Sequence, residues 1–329
     1  MVTFWWGVLG LLTCGYFALA GYDYGVGMLL PAFDADERRR RQTLGALGPF
    51  FLANEVWLVA AVGVLFGAFP HLEGKVFAGA YVLVVTLLLG LVTFTASMQL
   101  RSRRPGAPRG AWTAGIVGGA LVTAVSWGLF LGNLVAGLPL TADGSPSGAV
   151  LALFNPYAVV WGLGFVALFS LQGAVFLAVR APAELTGRAV RLARAFLPPV
   201  AGFLVVATGW GSFALHGVRT VGIGVVVLAF LALGSVWLGL ALKRHRVALL
   251  GAMVLAASPA LLVGTLRFPA ILVADSGYAL TTDQAATASS TFAVLNWFAP
   301  PAVLLLLVVQ WLTWRAHRAP VDQRSLLHF

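Results

Sequence analysis

Long apolar stretches dominate the sequence and limit its possible folds more than any motif does. The hydrocarbon core of a bilayer requires about 20 apolar residues per crossing helix. Nine windows of that size cover residues 4–30, 49–70, 76–100, 112–136, 155–179, 195–215, 220–242, 247–267 and 292–314. Charged residues make up 10% of the 329 residues, far below the roughly 25% of a soluble domain. We therefore predict an all-α polytopic membrane protein with nine transmembrane helices, forming a single integral membrane domain over residues 1–329.

Basic residues are concentrated in every second connection between these windows. Alternate connections and the C-terminal tail hold eighteen of them: Arg38, Arg39, Arg40, Arg41, Arg101, Arg103, Arg104, Arg109, Arg180, Arg188, Arg191, Arg194, Lys243, Arg244, Arg246, Arg315, Arg318 and Arg324. The remaining connections hold only Lys75, Arg219 and Arg267, so every Lys and Arg is assigned to a connection or the tail. Because basic loops stay in the cytoplasm, we predict an N-terminus outside and a C-terminus in the cytoplasm.

The formal net charge of +10 raises the question of a nucleic-acid partner. The basic clusters, however, alternate with hydrophobic windows instead of forming one continuous patch. Clusters placed in this way face the anionic headgroups of lipids. We therefore predict membrane lipids as a partner and no nucleic acid.

Two carboxylates, Asp23 and Glu55, fall inside apolar windows. A charged group at the bilayer centre costs about 2.5–3.5 kcal/mol on insertion scales. Since no base was assigned to a window, each acid must be protonated, reached by water or matched by another subunit. This favours a proton-handling role. The alternative is that both acids hydrogen-bond to Tyr22, Tyr24 or Asn54 and only join helices.

Both acids are predicted to lie in the cytoplasmic half of the membrane. Asp23 precedes the polar residue Asp34 by eleven positions, and Glu55 follows Pro49 by six. At 1.5 Å per residue, Glu55 lies roughly 9 Å inside the cytoplasmic end. This depth suits proton uptake from the cytoplasm.

Small and amide residues in the windows predict helix packing. Gly21 and Gly25 share one face of the first helix, with Gly27 close by, so another backbone can approach them. Asn133 and Gln172 are predicted to form hydrogen bonds between helices rather than to bind a ligand.

Residues that bind haem iron or catalyse reactions are scarce in the windows. The histidines are assigned to helix ends, connections and the tail: His71, His216, His245, His317 and His328. Haem held within the membrane would need an axial His, Met or Cys on a helix. The windows offer only Cys14, Met28, Met98 and Met253, and no HExxH, Walker A or dinucleotide-binding fingerprint occurs. We therefore predict no metal site, no bound cofactor and no catalytic residue in this chain.

The string GYDYGVGML at residues 21–29 resembles the end of the first helix of subunit II of cytochrome bd-type quinol oxidases. Other strings similar to that family follow in order. They are Gly48-Pro49, Asn54-Glu55-Val56-Trp57-Leu58, Phe69-Pro70, Gly132-Asn133-Leu134, Gly137-Leu138-Pro139, Asn155-Pro156, Gln172-Gly173-Ala174 and Ala288-Ser289-Ser290-Thr291. The resemblance runs over nearly the whole chain, and it implies two four-helix bundles with one peripheral helix.

The resemblance also implies a partner and a reaction. In that family, subunit I holds the b-type and d-type haems and the quinol site, and subunit II packs beside it as a haem-free chain. Quinol is oxidised, dioxygen is reduced to water, and protons come from the cytoplasm. A multi-pass protein of the bacterial cytoplasmic membrane is implied, with a small accessory subunit as a further partner.

Matching residues carry the family's roles onto this chain. Asp23 matches the acid of the first helix, and Glu55 falls in the second-helix motif associated with the proton route. Trp57, beside Asn54, is assigned only packing or contact with a quinone tail. The chain departs from many members at Ala20 and Leu52, where they carry acids, which implies a less hydrophilic channel here.

Three hypotheses follow. The first is the haem-free oxidase subunit, in which Asp23 and Glu55 feed protons toward the partner's haems. The second is a proton-coupled membrane transporter that uses the same acids, for which broken helices around a midplane site are expected. The third is a subunit with a purely structural role.

Overall fold

A computed structural model describes residues 1–33, 37–103, 109–214 and 220–317. Several residues named above for their charge or position lie outside the described residues: Asp34, Arg104, His216, Arg219, Arg318, Arg324 and His328.

Helices make up most of the described chain. They are α1 (Val2–Phe33), α2 (Glu37–Leu47), α3 (Phe51–Ala68), α4 (Pro70–Gly79), α5 (Tyr81–Arg103), α6 (Arg109–Ala136), α7 (Pro156–Arg180), α8 (Ala183–Ala214), α9 (Thr220–Ala241), α10 (His245–Leu266), α11 (Thr282–Ala285) and α12 (Ser289–Ala316). Over the described ranges, nine of them are long and apolar enough to cross a membrane. This confirms the predicted all-α fold with nine spans.

The largest boundary difference concerns α8, which begins at Ala183 rather than near residue 195. Arg188, Arg191 and Arg194 therefore lie in a helix and not in a connection. A hydropathy window detects only the apolar part of a helix, whereas backbone hydrogen bonding continues through a polar end.

Arg101 and Arg180 also lie in helices, so the prediction that each basic residue lies in a connection or the tail is wrong for them too. Both lie near the ends of membrane-spanning helices, and both side chains are buried. The Arg180 guanidinium lies 5.2 Å from the centre of the Phe50 ring and donates to the carbonyl of His317. Long side chains at helix ends can be buried in this way when their polar heads find partners.

The two longest connections between membrane-spanning helices contain short elements that hydropathy did not predict. A 3-10 helix spans Val150–Phe154, and strands β1 (Ala270–Val273) and β2 (Ala279–Thr281) form an antiparallel hairpin. Its turn includes Gly277 at φ 87°, a conformation that glycine adopts without strain. Leu138 pairs with Ala274, so these two connections pack against each other.

Helices α1 and α7 form the centre of the molecule. α1 packs against α3, α6, α7 and α10, while α7 also packs against α6 and α8. α12 packs mainly against α3, and only 11% of its most apolar window is buried. It is therefore the peripheral helix.

Close contact between α1 and α7 depends on glycine. A Cβ atom at Gly25 would lie 1.8 Å from the backbone oxygen of Phe169, and one at Gly173 would lie 2.4 Å from the backbone of Gly25. A Cβ at Gly21 would lie 2.2 Å from Gln172 Oε1, and one at Gly27 would lie 2.8 Å from the Phe94 ring. These glycines set how closely α1 approaches its neighbours, and so they fix the position of Asp23.

Candidate functional site

Asp23 lies in the interior of the bundle, on the turn of α1 next to Gly25. Its side chain is buried, with 2% of the residue exposed. Oδ2 accepts a hydrogen bond of 2.9 Å from Asn54 Nδ2, whereas Oδ1 is buried without a hydrogen-bond partner among the described residues. A buried carboxyl oxygen without a hydrogen-bond partner is uncommon and costly, so this position requires an explanation.

Asn54 of α3 is the centre of a buried polar network. Its amide nitrogen lies 2.8 Å from Tyr22 Oη and 3.3 Å from the carbonyl of Leu19, in addition to its bond to Asp23. Its oxygen accepts a bond of 3.2 Å from Gln310 Nε2. One side chain therefore joins α1, α3 and α12.

Gln310 is a member of this network that the sequence analysis missed. It is buried although most of α12 is exposed, and its Oε1 accepts a bond of 3.3 Å from Trp57 Nε1. The available signal was a single amide within the apolar run that ends α12. An amide in such a run requires a hydrogen-bond partner, but its position alone does not identify that partner.

A second hydrogen-bonded group lies on another face of α1. Tyr16 and Tyr24 share a hydrogen bond of 2.8 Å, and Trp127 Nε1 donates to Tyr16 Oη at 3.1 Å. Tyr24 therefore bonds to Tyr16 rather than to an acid. Of the candidate partners from sequence, the structure brings Asn54 to Asp23, and Tyr22 contacts Asn54.

Glu55 faces away from this network. It accepts a hydrogen bond of 2.5 Å from Thr95 Oγ1 of α5, and its side chain is partly exposed. Because consecutive residues of a helix point about 100° apart, Asn54 faces α1 while Glu55 faces α5. Among the described residues, neither Asp23 nor Glu55 forms an ion pair.

Trp57 packs directly against α1. A Cβ atom at Gly15 would lie 2.1 Å from the Trp57 ring, and only 5% of Trp57 is exposed. The ring thus fills the space beside Gly15 while its nitrogen binds Gln310.

Aromatic rings cover the network on the side of Tyr22. The Tyr22 ring stacks on Phe176 at 4.3 Å between centroids, and Trp314 meets Phe50 and Phe176. Arg180 lies over the Phe50 ring. Phe176 and Arg180 lie near the C-terminal end of α7, and Trp314 lies near the C-terminal end of α12.

Metal-ligating residues do not converge in the part of the chain that the structure describes. No group of three or more His, Cys, Asp or Glu side chains there could hold a metal ion. Cys14 Sγ contacts the carbonyl of Ala257 at 3.7 Å, which joins α1 to α10. The amide residues join helices as well: Gln172 donates to Ala18 of α1 at 2.7 Å, and Asn133 donates to the carbonyl of Leu153 at 2.8 Å.

Comparison with known proteins identifies a family. The family model described as cytochrome bd terminal oxidase subunit II matches residues 1–317. Cytochrome bd ubiquinol oxidase subunit 2 of Bacillus subtilis is 26% identical over 303 residues, 89% of this chain and 88% of the relative. Cytochrome bd-I ubiquinol oxidase subunit 2 of Escherichia coli K12 is 32% identical over 186 residues, 55% of this chain. The match spans about half the length of the Escherichia coli relative, 49%.

A solved structure has the same fold. A chain of the bd oxidase from Geobacillus thermodenitrificans superposes with a TM-score of 0.76 at 18% identity. The alignment covers 96% of this chain and 98% of that chain. The arrangement of helices is therefore shared over nearly the full length.

Proposed function

The chain belongs to the family of cytochrome bd terminal oxidase subunit II, and from this premise we propose that it is the haem-free partner of a haem-bearing subunit I. In the complex, quinol is oxidised and dioxygen is reduced to water, with the b-type and d-type haems and the quinol site on subunit I. The observation that carries the proposal is the family match over residues 1–317.

The proposed location is the bacterial cytoplasmic membrane, with the N-terminus outside. The distribution of Lys and Arg supports this orientation, because eighteen of them fall on one side and three on the other. In this orientation Asp23 and Glu55 lie nearer to the cytoplasmic ends of α1 and α3 than to their outer ends. This position supports the proposal of proton uptake from the cytoplasm.

Asp23 is the proposed proton-holding group inside the chain. Asn54 fixes one carboxyl oxygen, and the other oxygen is buried without a partner in the described part of the chain. An ionised carboxylate in such a place would be costly, so the group either carries a proton or is reached by water. Both conditions suit a carboxyl group that takes up a proton and passes it on.

Glu55 is the proposed proton group at the subunit contact. Leu52 and Val59 lie on the same face of α3 as Glu55, and Val92 lies on the adjoining face of α5. All three are exposed in the isolated chain. A partly exposed acid among exposed apolar residues at membrane depth requires a protein partner or water, so we assign this face to subunit I.

The chain departs from many family members at Ala20 and Leu52, and these two residues lie in different surroundings. Ala20 is fully buried, whereas 52% of Leu52 is exposed, three residues before Glu55. The acid that many members carry at the position of Leu52 would therefore face the proposed partner and not Asp23. In this chain the route depends on Asp23 and Glu55.

The transporter hypothesis receives no support from the helices that carry the acids. It required broken helices around a midplane site. The helices α1 and α3 each run without interruption through Asp23 and Glu55.

The test replaces each acid by its amide, Asp23→Asn and Glu55→Gln, in the whole complex. Because proton-transfer groups typically contribute 100-fold or more to rate, we expect oxygen consumption to fall on the order of 100-fold at unchanged haem content. The control is Asp275→Asn, which changes an exposed acid in an outer connection. Wild-type turnover in both amide variants at full haem occupancy would leave the chain with a purely structural role.

The partner assignment has a separate test. Purification through a tag on this chain should retain a haem-bearing polypeptide, and deletion of this chain should remove the absorbance bands of that haemoprotein from the spectrum of the membrane. Recovery of this chain without any haemoprotein, together with solute uptake by liposomes that contain it alone, would support the transporter instead.

A further inference from the structure

Four arginines surround one carboxylate where α2, α5 and α6 meet. Arg101 donates two hydrogen bonds from Nη2 to Glu37, at 2.9 and 2.8 Å, and its Nε donates to Thr113 Oγ1 at 3.3 Å. Around this central pair, the guanidinium groups of three further residues lie 3.5–3.8 Å from the same carboxylate. They are Arg40, Arg41 and Arg109. We call Glu37 with these four residues the arginine cluster.

The arginine cluster carries more positive charge than its carboxylate balances. Arg101 is deeply buried, with 2% of its side chain exposed, and holds Glu37 at the shortest distances. Arg41 and Arg109 make only longer contacts to Glu37, and 42% and 43% of their side chains are exposed. The sequence around the cluster is also basic overall, since residues 34–41 and 101–109 together contain three acidic and eight basic residues. Close like charges at this density favour a bound anion.

The position of the arginine cluster is fixed relative to the membrane. Arg101 is in the last turn of the apolar helix α5, and Arg109 is the first residue of α6. The C-terminal half of α2, including Leu44 and Leu47, is buried against the bundle. The exposed guanidinium groups are therefore held where a span ends, at the level of lipid headgroups.

We propose that the arginine cluster binds the phosphate of an acidic phospholipid through Arg41 and Arg109. Arginine binds phosphate oxygens with paired N–H donors, and Arg101 with Glu37 holds the ends of α2, α5 and α6 together beneath the site. A lipid fits better than a soluble anion because α5 and α6, which carry Arg101 and Arg109 at their ends, are long and apolar enough to cross a membrane, and a lipid supplies both a phosphate for the arginines and acyl chains for the bilayer. The site would anchor this side of the chain to the inner leaflet.

The experiment uses the purified complex in nanodiscs of phosphatidylcholine with a minor fraction of phosphatidylglycerol. Mass spectrometry of the intact complex counts the phosphatidylglycerol molecules that it retains. The Arg41→Gln/Arg109→Gln variant should bind phosphatidylglycerol roughly 25-fold more weakly, because each arginine near a membrane surface contributes about a fivefold factor. The matched control is Arg188→Gln/Arg191→Gln, which removes two exposed arginines from α8 and should retain the lipid.

A further variant and a competitor separate the possible causes. Arg41→Lys/Arg109→Lys keeps the charge but lacks the paired donors, so it should fall between the wild type and the Gln variant. Equal retention of phosphatidylglycerol by both double Gln variants would overturn the proposal. Displacement of the lipid by inorganic phosphate at matched ionic strength, without preference for phosphatidylglycerol over phosphatidylcholine, would overturn it in favour of a soluble anion.

Discussion

Two regions of this chain satisfy the hydrogen-bonding groups of their polar side chains differently. Where α1, α3 and α12 meet, polar side chains bond to each other across helices, with Asn54 at the centre. In α8, α9 and α10, hydroxyl groups bond to carbonyls of their own helix. These residues are Thr208, Ser235, Ser258 and Thr265.

The two regions differ in whether the hydrogen bonds of their polar groups depend on the packing of the helices. A hydroxyl bonded to its own helix is satisfied before the helices pack, so it contributes little to their arrangement. The Asn54 network is satisfied only when three helices meet in one geometry. We infer that the region around Asp23 is specified by polar contacts, whereas α8–α10 rely mainly on apolar packing, with one hydrogen bond of 3.2 Å from Arg194 of α8 to the carbonyl of Leu240 of α9.

The largest expected effect comes from the contact between α1 and α7, which joins the two regions. Gly25→Ala would place a methyl group against the backbone oxygen of Phe169, and backbone atoms cannot move aside easily. We expect a loss of about 3 kcal/mol of stability, at the upper end for overpacking, measured as the free energy of unfolding of the complex in detergent. Gly10→Ala on the same helix meets nothing within 4 Å and should be neutral. Equal free energies of unfolding for the two variants would disprove the close contact.

Removing one polar group from each region tests whether the Asn54 network contributes more to stability than the hydroxyl groups of α8–α10. Asn54→Leu leaves Asp23, Tyr22 and Gln310 without their buried partner, and we expect a loss of roughly 2–3 kcal/mol. Ser235→Ala removes a hydroxyl that bonds only to its own helix at Ala232, and we expect a loss below about 0.5 kcal/mol. Chemical denaturation of both variants gives the two values. Similar losses would mean that the regions do not differ as described.

A double-mutant cycle sharpens the description of the network. Gln310→Leu and Trp57→Phe each remove the same hydrogen bond, so together they should cost less than the sum of the single changes. The expected coupling is about 0.6 kcal/mol, the average for such bonds between membrane helices. Unfolding free energies of the four proteins measure it, and strict additivity would contradict the bond.

The smallest effect is expected outside the membrane, at Asp143. Hydrogen bonds from the side chain of Thr141, and then from Ser145, lower the pKa of this exposed carboxyl to about 2. Its contribution to the order of the loop is therefore present above the ordinary pKa near 4 and is lost as the pH falls toward about 2. The protection factors of the amides in residues 141–145, which are exchange rates corrected for their intrinsic pH dependence, should fall over this range in the wild type. In Asp143→Asn the same protection factors should not change with pH there.

Local sequence was enough to define the spans and the two acids within them. Hydropathy and the alternation of charge depend only on residues near each other in the chain, so they predicted nine spans directly. The same reasoning identified Asp23 and Glu55 as costly residues that require an explanation. The strings at residues 21–29 and 54–58 were sufficient to indicate the family, because they too are local patterns.

The partners of these residues depend on how the helices pack in three dimensions. Gln310 meets Asn54 across 256 positions of sequence, and Arg101 meets Glu37 across 64. Tyr24 bonds to Tyr16 rather than to an acid. Such pairings follow from the rotation and distance of packed helices, which glycine contacts and ring volumes set together. Local composition cannot encode them because each helix has several faces that could meet a neighbour.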